Sequence, residues 1–225
     1  QIEWRFMVRN ARRPKLATKG ILYPASLTTK DGKAIVEFES RDFDKNLNKD
    51  LAWASCQKLM NTTVRSKDPH FYLSTHPAAT INVRGIKAIL AELARDGFVP
   101  DVVCIDYADI LAPMDNRRAD KRDQINDTWT ALRGLSLETH TCVITASQCN
   151  RGGYKAKLLS IEHNSDDKRK AAHVTAMVGI NVTPDEEHDG TGRLNVMAIR
   201  EGRKSKPVHY ASCLPLCNPC VLSSW

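Results

Sequence analysis

The sequence predicts an α/β fold, a mostly parallel sheet flanked by helices. Three observations carry that prediction. Val102-Val103-Cys104-Ile105 and Cys142-Val143-Ile144-Thr145 are short, continuous apolar runs, the pattern of strands buried on both faces. Each follows a stretch with helical periodicity, Ile86, Ile89, Leu90 and Leu93 before the first run and Ile125, Trp129, Leu132 and Leu135 before the second. The composition, 42% hydrophobic and 26% charged over 225 residues, is that of a globular chain able to bury a core, read as a single domain over 1–225. It excludes collagen-like, mucin-like and wholly disordered chains. No apolar run reaches the ~20 residues that a membrane-spanning helix needs.

Taken in order, residues 1–13 read as a basic helix in which Ile2, Phe6 and Arg9, with Trp4 and Val8, give a rough helical period, stopped by Pro14. Residues 15–45 read as an insertion in which Ile21 to Tyr23 and Ala34 to Phe38 pair as a hairpin around Asp31-Gly32. Residues 47–64 read as a helix that buries Leu47, Leu51, Ala54, Leu59 and Met60. Phe71-Tyr72-Leu73 is expected as a short strand, and Thr80 or Asn82 as the cap of the next helix, which Gly97 closes. After the two apolar strands come a polar loop at 149–173, a run from Val174 to Val182, and strands at Leu194 to Ile199 and Val208 to Cys213. Residues 205–225 form a tail.

The chain carries 33 Lys and Arg against 26 Asp and Glu, a net charge of +7. Much of that excess lies in the first twenty residues, where Arg5, Arg9, Arg12, Arg13, Lys15 and Lys19 face only Glu3. Further basic groups recur at 117–122 and 168–170. Such a distribution suits a polyanion, nucleic acid above all, and equally a solvated surface. The odd count of seven cysteines, with Cys104 and Cys142 inside apolar runs, points to a reducing cytosol. Cys213, Cys217 and Cys220 resemble the cluster-binding loop of radical SAM enzymes in spacing. They lie at the wrong end of the chain for it and have no obvious fourth ligand, so they read as incidental.

In a parallel sheet, ligands gather beyond the carboxyl ends of the strands. Three polar residues end apolar runs there: Asp106, Gln148 and Arg200. An apolar strand ending in Asp is the Walker B pattern, in which the carboxylate organises Mg²⁺ through water beside phosphate. A Gln on the next strand end can sense a terminal phosphate and pass movement into the loop that follows. As a bland alternative, both residues simply end strands.

Together these pieces resemble the C-terminal motor domain of DnaB-type replicative helicases, a branch of the RecA-like ATPases. Val102 to Leu111 resembles the family's apolar strand with Asp-Tyr-x-x-Leu. Arg122-Asp123-Gln124-Ile125 resembles its Arg-x-Gln-x-Ile helix entry, and Ser147-Gln148-Cys149-Asn150-Arg151 its Ser-Gln-Leu-Asn-Arg. Leu194 to Lys204 resembles the strand leading to its basic finger, and Gln1-Ile2 with Arg5 the helix past its second strand. The match lies nearest to phage-type or plasmid-type members and covers the chain apart from 15–45 and the tail.

The resemblance implies a RecA-like fold, ATP and Mg²⁺ as cofactors, single-stranded DNA as partner, a homo-oligomeric hexameric ring and no membrane. The setting would be DNA replication in the cytoplasm of a bacterial or phage-infected cell. It implies Asp106, Tyr107 and Gln148 at the nucleotide, with Asp106 an indirect Mg²⁺ holder. Arg200, or else Arg203, would reach a neighbour's γ-phosphate. DNA would lie on two loops, one with Arg117, Arg118 and Lys121, the other with Arg151, Lys155, Lys157, Lys168, Arg169 and Lys170. Tyr154 is available for stacking.

The departures bear on activity. Gly-x-x-x-x-Gly-Lys-[Ser/Thr] does not occur; Asp31-Gly32-Lys33-Ala34 and Gly152-Gly153-Tyr154-Lys155 lack its length and hydroxyl. The usual Lys-x-Arg finger becomes Arg200-Glu201-Gly202-Arg203-Lys204. The chain therefore reads as a motor fragment that begins past the P-loop and is inactive alone. A RecA-like DNA-binding or scaffold module without a P-loop, or a recombinase-type RecA-like ATPase, are the alternatives.

Overall fold

The computed structural model describes residues 2–16, 18–63, 70–115, 120–164 and 168–224. In chain order the elements begin with α1 (Ile2–Ala11), β1 (Ile21–Lys30), β2 (Lys33–Arg41), α2 (Lys49–Thr63) and α3 (Val83–Arg95). They continue with β3 (Val102–Ile105), α4 (Lys121–Thr139), β4 (Cys142–Thr145), α5 (Lys170–His173) and β5 (Ala176–Asn181). The last are α6 (Pro184–His188), β6 (Thr191–Ile199), β7 (Val208–Cys213) and β8 (Asn218–Ser224). The chain divides into two compact units, one formed by Gln1–Lys67, Ile180–Asn195 and Ser205–Trp225, the other by Asp68–Gly179 and Val196–Lys204.

In the first unit, α1 packs on α2 through Val8 against Leu47 and Ala52, with Trp4, Met7 and Cys217 around them. The buried side of α2 is Ala52 and Cys56, whereas Leu51, Ala54 and Leu59 are exposed, contrary to the expected face. The Met60 side chain lies outside the described ones. The small Ala52 side chain suits close approach to α1. The hairpin forms about Asp31-Gly32 as expected but with longer strands: β1 and β2 pair antiparallel from Ile21↔Arg41 to Lys30↔Lys33, so Ile21 to Tyr23 lie opposite Glu39 to Arg41 rather than Ala34 to Phe38. Asp31 and Gly32 both have positive φ, 51° and 73°, the two-residue turn that follows strand twist and favours Gly at its second position. Ile21 packs with Cys213 and Leu216, and burial pushes the Cys213 thiol above its ordinary pKa.

In the second unit, β3 and β4 pair in parallel, Val102 to Ile105 beside Cys142 to Thr145. Asn82 caps α3, its side chain accepting from Gly85 N, and Gly97 follows the helix at φ 84°. The core is Val83, Ala108, Ile125, Trp129, Leu132 and Leu135, with Ile105 and Val143 turned onto it. The apolar periodicity of α4 therefore places its residues as predicted.

Three expectations are corrected. The fold is a mixed α/β arrangement in which the parallel sheet has only two strands; the four-stranded sheet runs β5-β6-β7-β8, with β6-β7 and β7-β8 antiparallel. Neither parallel strand is buried on both faces: Val102, Cys104, Cys142 and Ile144 are exposed. Val103, Ile105, Val143 and Thr145 are half-buried on the opposite side, so a continuous apolar run conceals a one-sided sheet. Phe71, Tyr72 and Leu73 are exposed and form no strand. Among the described residues no helix is long and apolar enough to cross a membrane.

Candidate functional site

The second unit assembles the candidate site at the carboxyl ends of β3 and β4. Asp106 follows β3 directly, with its side chain exposed and, among the described residues, no hydrogen-bond partner. Tyr107 is half-buried beside it. Gln148, just past β4, donates from Nε2 to the Tyr107 hydroxyl at 3.2 Å. Parallel register makes this possible, because Ile105 and Thr145 are partners and the chains leave the sheet together. The Thr145 hydroxyl adds a second tie, donating to Ile105 O and accepting from Ala108 N, both at 2.9 Å.

Beneath this edge lies a polar cluster that the sequence did not disclose. A 3₁₀ turn at Ala108–Ile110 brings Asp109 inward. Asp109 Oδ1 accepts from the Trp129 indole at 3.1 Å, and Oδ2 accepts from Ser147 Oγ at 2.8 Å and Lys170 Nζ at 2.8 Å. Lys170 Nζ also donates to Ser147 Oγ at 3.0 Å and stands 5.7 Å from the Trp129 ring centroid. The Lys170 side chain is 0% exposed and that of Asp109 8%. Four segments far apart in the chain thus meet at one ion pair.

The loop after Gln148 is folded on itself. Cys149 and Asn164 form an isolated antiparallel bridge, and Asn150 N donates to His163 O at 2.8 Å. Asn150 Nδ2 donates to Glu162 O at 2.9 Å, while its Oδ1 accepts from Gly153 N at 3.1 Å. Gly153 sits where a Cβ would lie 2.7 Å from Cys149 Cβ, so only glycine closes the loop without displacement. Arg151, Lys155 and Lys157 are exposed on this loop, and Tyr154 is 77% exposed. An exposed aromatic among cations is a surface that single-stranded nucleic acid can stack on and neutralise.

The remaining expected residues divide. Lys121 is exposed at the start of α4, just after the Asp120 cap. Lys168 pairs with Glu162, and Arg169 with Asp123 at 3.1 Å, both at the surface. Lys170 departs from expectation: it is buried against Asp109, so no phosphate can reach it. Three consecutive cations look alike in sequence, and only the inward turn at Asp109 singles out the third. Arg117 and Arg118 lie outside the described residues. The Arg200 guanidinium is held locally, donating to Val174 O at 3.0 Å and to Ala172 O. Arg203 is exposed and, among the described residues, has no partner.

Single-carboxylate chemistry bears on Mg²⁺. Among the described residues no group of three or more His, Cys, Asp or Glu is placed to hold a metal directly. One open carboxylate, Asp106, suits contact through bound water. In the sequence, no Gly-x-x-x-x-Gly-Lys-[Ser/Thr] supplies backbone amides for phosphate.

No family model matches this sequence, and no curated protein matches it. Solved structures do match in fold. One, an ATPase domain, aligns with a TM-score of 0.59 at 16% identity over 74% of this chain and 59% of that one. A DnaB-like replicative helicase, solved in a study of its interactions with primase, aligns with a TM-score of 0.56 at 16% identity over 72% of this chain and 39% of that one. The chain spans less than two thirds of either structure's length. The likeness is one of fold: this chain resembles the solved ATPase domain and the part of the DnaB-like replicative helicase that it covers, at 16% identity to each.

Proposed function

We propose that this chain is part of an ATP-dependent helicase motor that moves along single-stranded DNA during replication. The observation that carries the reading is continuity. The strand ends bearing Asp106 and Gln148 are tied side by side, and Gln148 leads at once into the loop that displays Arg151, Tyr154, Lys155 and Lys157. The likeness in fold to a solved ATPase domain and to a DnaB-like replicative helicase supports it. In this reading ATP with Mg²⁺ supplies the phosphoryl transfer that drives motion. Asp106 holds the ion through water, and Gln148, oriented by the Tyr107 hydroxyl, hydrogen-bonds the terminal phosphate or the attacking water. The exposed loop grips DNA phosphates without reading bases. The motor acts as a homo-oligomeric ring, hexameric by resemblance, in the cytoplasm of a bacterial or phage-infected cell. Arg203, which is exposed, suits the cation offered to a neighbouring subunit better than Arg200, whose guanidinium is occupied.

A second reading, which the exposed Arg151, Tyr154, Lys155 and Lys157 serve equally well, is a RecA-like module that holds DNA and hydrolyses nothing. Titration of the chain against a fluorescent oligo-thymidine, with and without ATP and Mg²⁺, tests both. Binding that weakens linearly in log salt and responds to nucleotide supports the motor. Binding indifferent to nucleotide supports the module, and no binding overturns both.

A further inference from the structure

The proposed function leaves the buried Asp109–Lys170 pair without a task. We infer that Lys170 is a positioning residue, whose ion pair with Asp109 locks the far end of the DNA-facing loop to the strand ends that carry Asp106 and Gln148. The inference deepens the motor reading and rests on it for the identity of the two ligands.

Asp109 lies three residues past Asp106, and Ser147 immediately precedes Gln148. Lys170 opens α5, on the other side of the loop from Gln148. Its Nζ bonds both Asp109 Oδ2 and Ser147 Oγ, so one ammonium group clasps both strand ends. The Lys170 side chain is 0% exposed, which excludes a direct grip on DNA. Burying a lysine is costly unless its charge is met, and here a carboxylate, a hydroxyl and an aromatic face all meet it.

The rest of α5 is fixed in the same way. Arg133 and Arg200 both donate to Ala172 O, His173 bonds Asn126 at 2.9 Å, and Arg169 pairs with Asp123. The short helix is thus a knot that joins α4, both strand ends and Arg200. With Gln148 at its near end and Lys170 at its far end, the loop residues 149–164 are coupled to both strand ends, and Lys168 ties the far end back to Glu162.

Hydrogen exchange on the full chain tests the latch without DNA or nucleotide. Lys170→Met is expected to raise exchange about tenfold or more in 107–111 and 146–164, while the middle of α3 keeps its protection. Asp109→Asn combined with Lys170→Met removes both charges and the clasp with them, and is expected to keep exchange raised in the same segments; protection restored to the wild-type level would show that only an unpaired buried charge matters and would overturn the inference. Ser147→Ala, which leaves the charges paired, gives a smaller rise in the same segments and serves if Lys170→Met does not fold. A uniform rise through the second unit, or no rise at all, overturns the inference.

DNA binding separates the latch from the motor reading. Lys170→Met is expected to weaken oligo-thymidine binding at every salt concentration with an unchanged log–log slope. A slope shallower by about 0.7 would put Lys170 on a phosphate and overturn the latch. If the wild-type chain binds no DNA, the motor reading fails while exchange still decides the latch.

Discussion

Gln148 Nε2 lies 3.2 Å from the Tyr107 hydroxyl, so the residues leaving β3 and β4 are bonded side chain to side chain just past the end of their parallel pairing. The bond leaves Asp106, next to Tyr107, open to solvent, and it fixes the carboxamide that precedes the basic loop. In the proposed reading, the nucleotide-sensing carboxamide and the DNA-facing loop are then separated by only a few residues of chain.

Asp106 is exposed and, among the described residues, makes no hydrogen bond, so Asp106→Ala should change stability by no more than about 0.5 kcal/mol. If the proposed motor reading holds, ATP turnover of the assembled protein should fall by about two orders of magnitude or more, the usual cost of losing a preorganised electrostatic interaction. Denaturant melts of the chain and steady-state ATPase of the motor check the two halves. Retained turnover would remove Asp106 from the nucleotide site.

Tyr154 and its basic neighbours make a separable prediction. Tyr154→Ala should weaken single-stranded DNA binding by about 1–3 kcal/mol with the salt slope intact, since stacking is not ionic. Lys155 and Lys157 changed together to Ala should instead flatten the slope, by about 0.7 for each phosphate no longer neutralised. Anisotropy titrations at several salt concentrations distinguish the two.

Two glycines should respond oppositely to the same substitution. A Cβ on Gly153 would lie 2.7 Å from Cys149 Cβ and 3.0 Å from Leu159 Cδ2, so Gly153→Ala should cost about 1–3 kcal/mol. A Cβ on Gly134, inside α4, would meet nothing within 4 Å, and Gly134→Ala should stabilise by about 0.5–1 kcal/mol. Urea denaturation of both variants gives the comparison.

In the first unit, Glu186 closes a capping box with Thr183 and accepts from Arg193 Nε at 2.6 Å and Nη2 at 3.0 Å. Burial pushes its carboxyl pKa up, but the Arg193 guanidinium and the Thr183 amide outweigh that and hold it below the ordinary 4.5. A depressed folded pKa means stability that is complete above the unfolded value and lost as pH falls through the folded one. Wild type should exceed Glu186→Gln by about 1 kcal/mol near pH 7, and the gap should narrow as pH falls below the ordinary 4.5 and through the lowered folded value. Denaturation curves across that range check the sign.

Much of the second unit was legible in sequence because its signals are local. Asn82 is a short polar side chain ahead of a periodic run, and Ile125, Trp129, Leu132 and Leu135 repeat at helical spacing; all are placed as the pattern implies. Asp31-Gly32 likewise dictated its turn. The failures are non-local. Whether Val102 and Ile144 face a second layer depends on what lies across the sheet, which an apolar run cannot state. The burial of Lys170 depends on an aspartate 61 positions earlier, turned inward by one 3₁₀ turn. Arg200 reads as a free finger until the carbonyls of Ala172 and Val174 are seen to hold it.

The bare side of the β3–β4 pair has a practical consequence. Val102 is 48% and Ile144 52% exposed, with two thiols, Cys104 and Cys142, between them. A patch of that kind, on strands whose outer amides have no ladder partner among the described residues, invites self-association and intermolecular oxidation. Purified at high concentration without reductant, the chain should become turbid. Polar replacements at Val102 and Ile144 should keep it clear, which makes that variant the better starting material for every titration above.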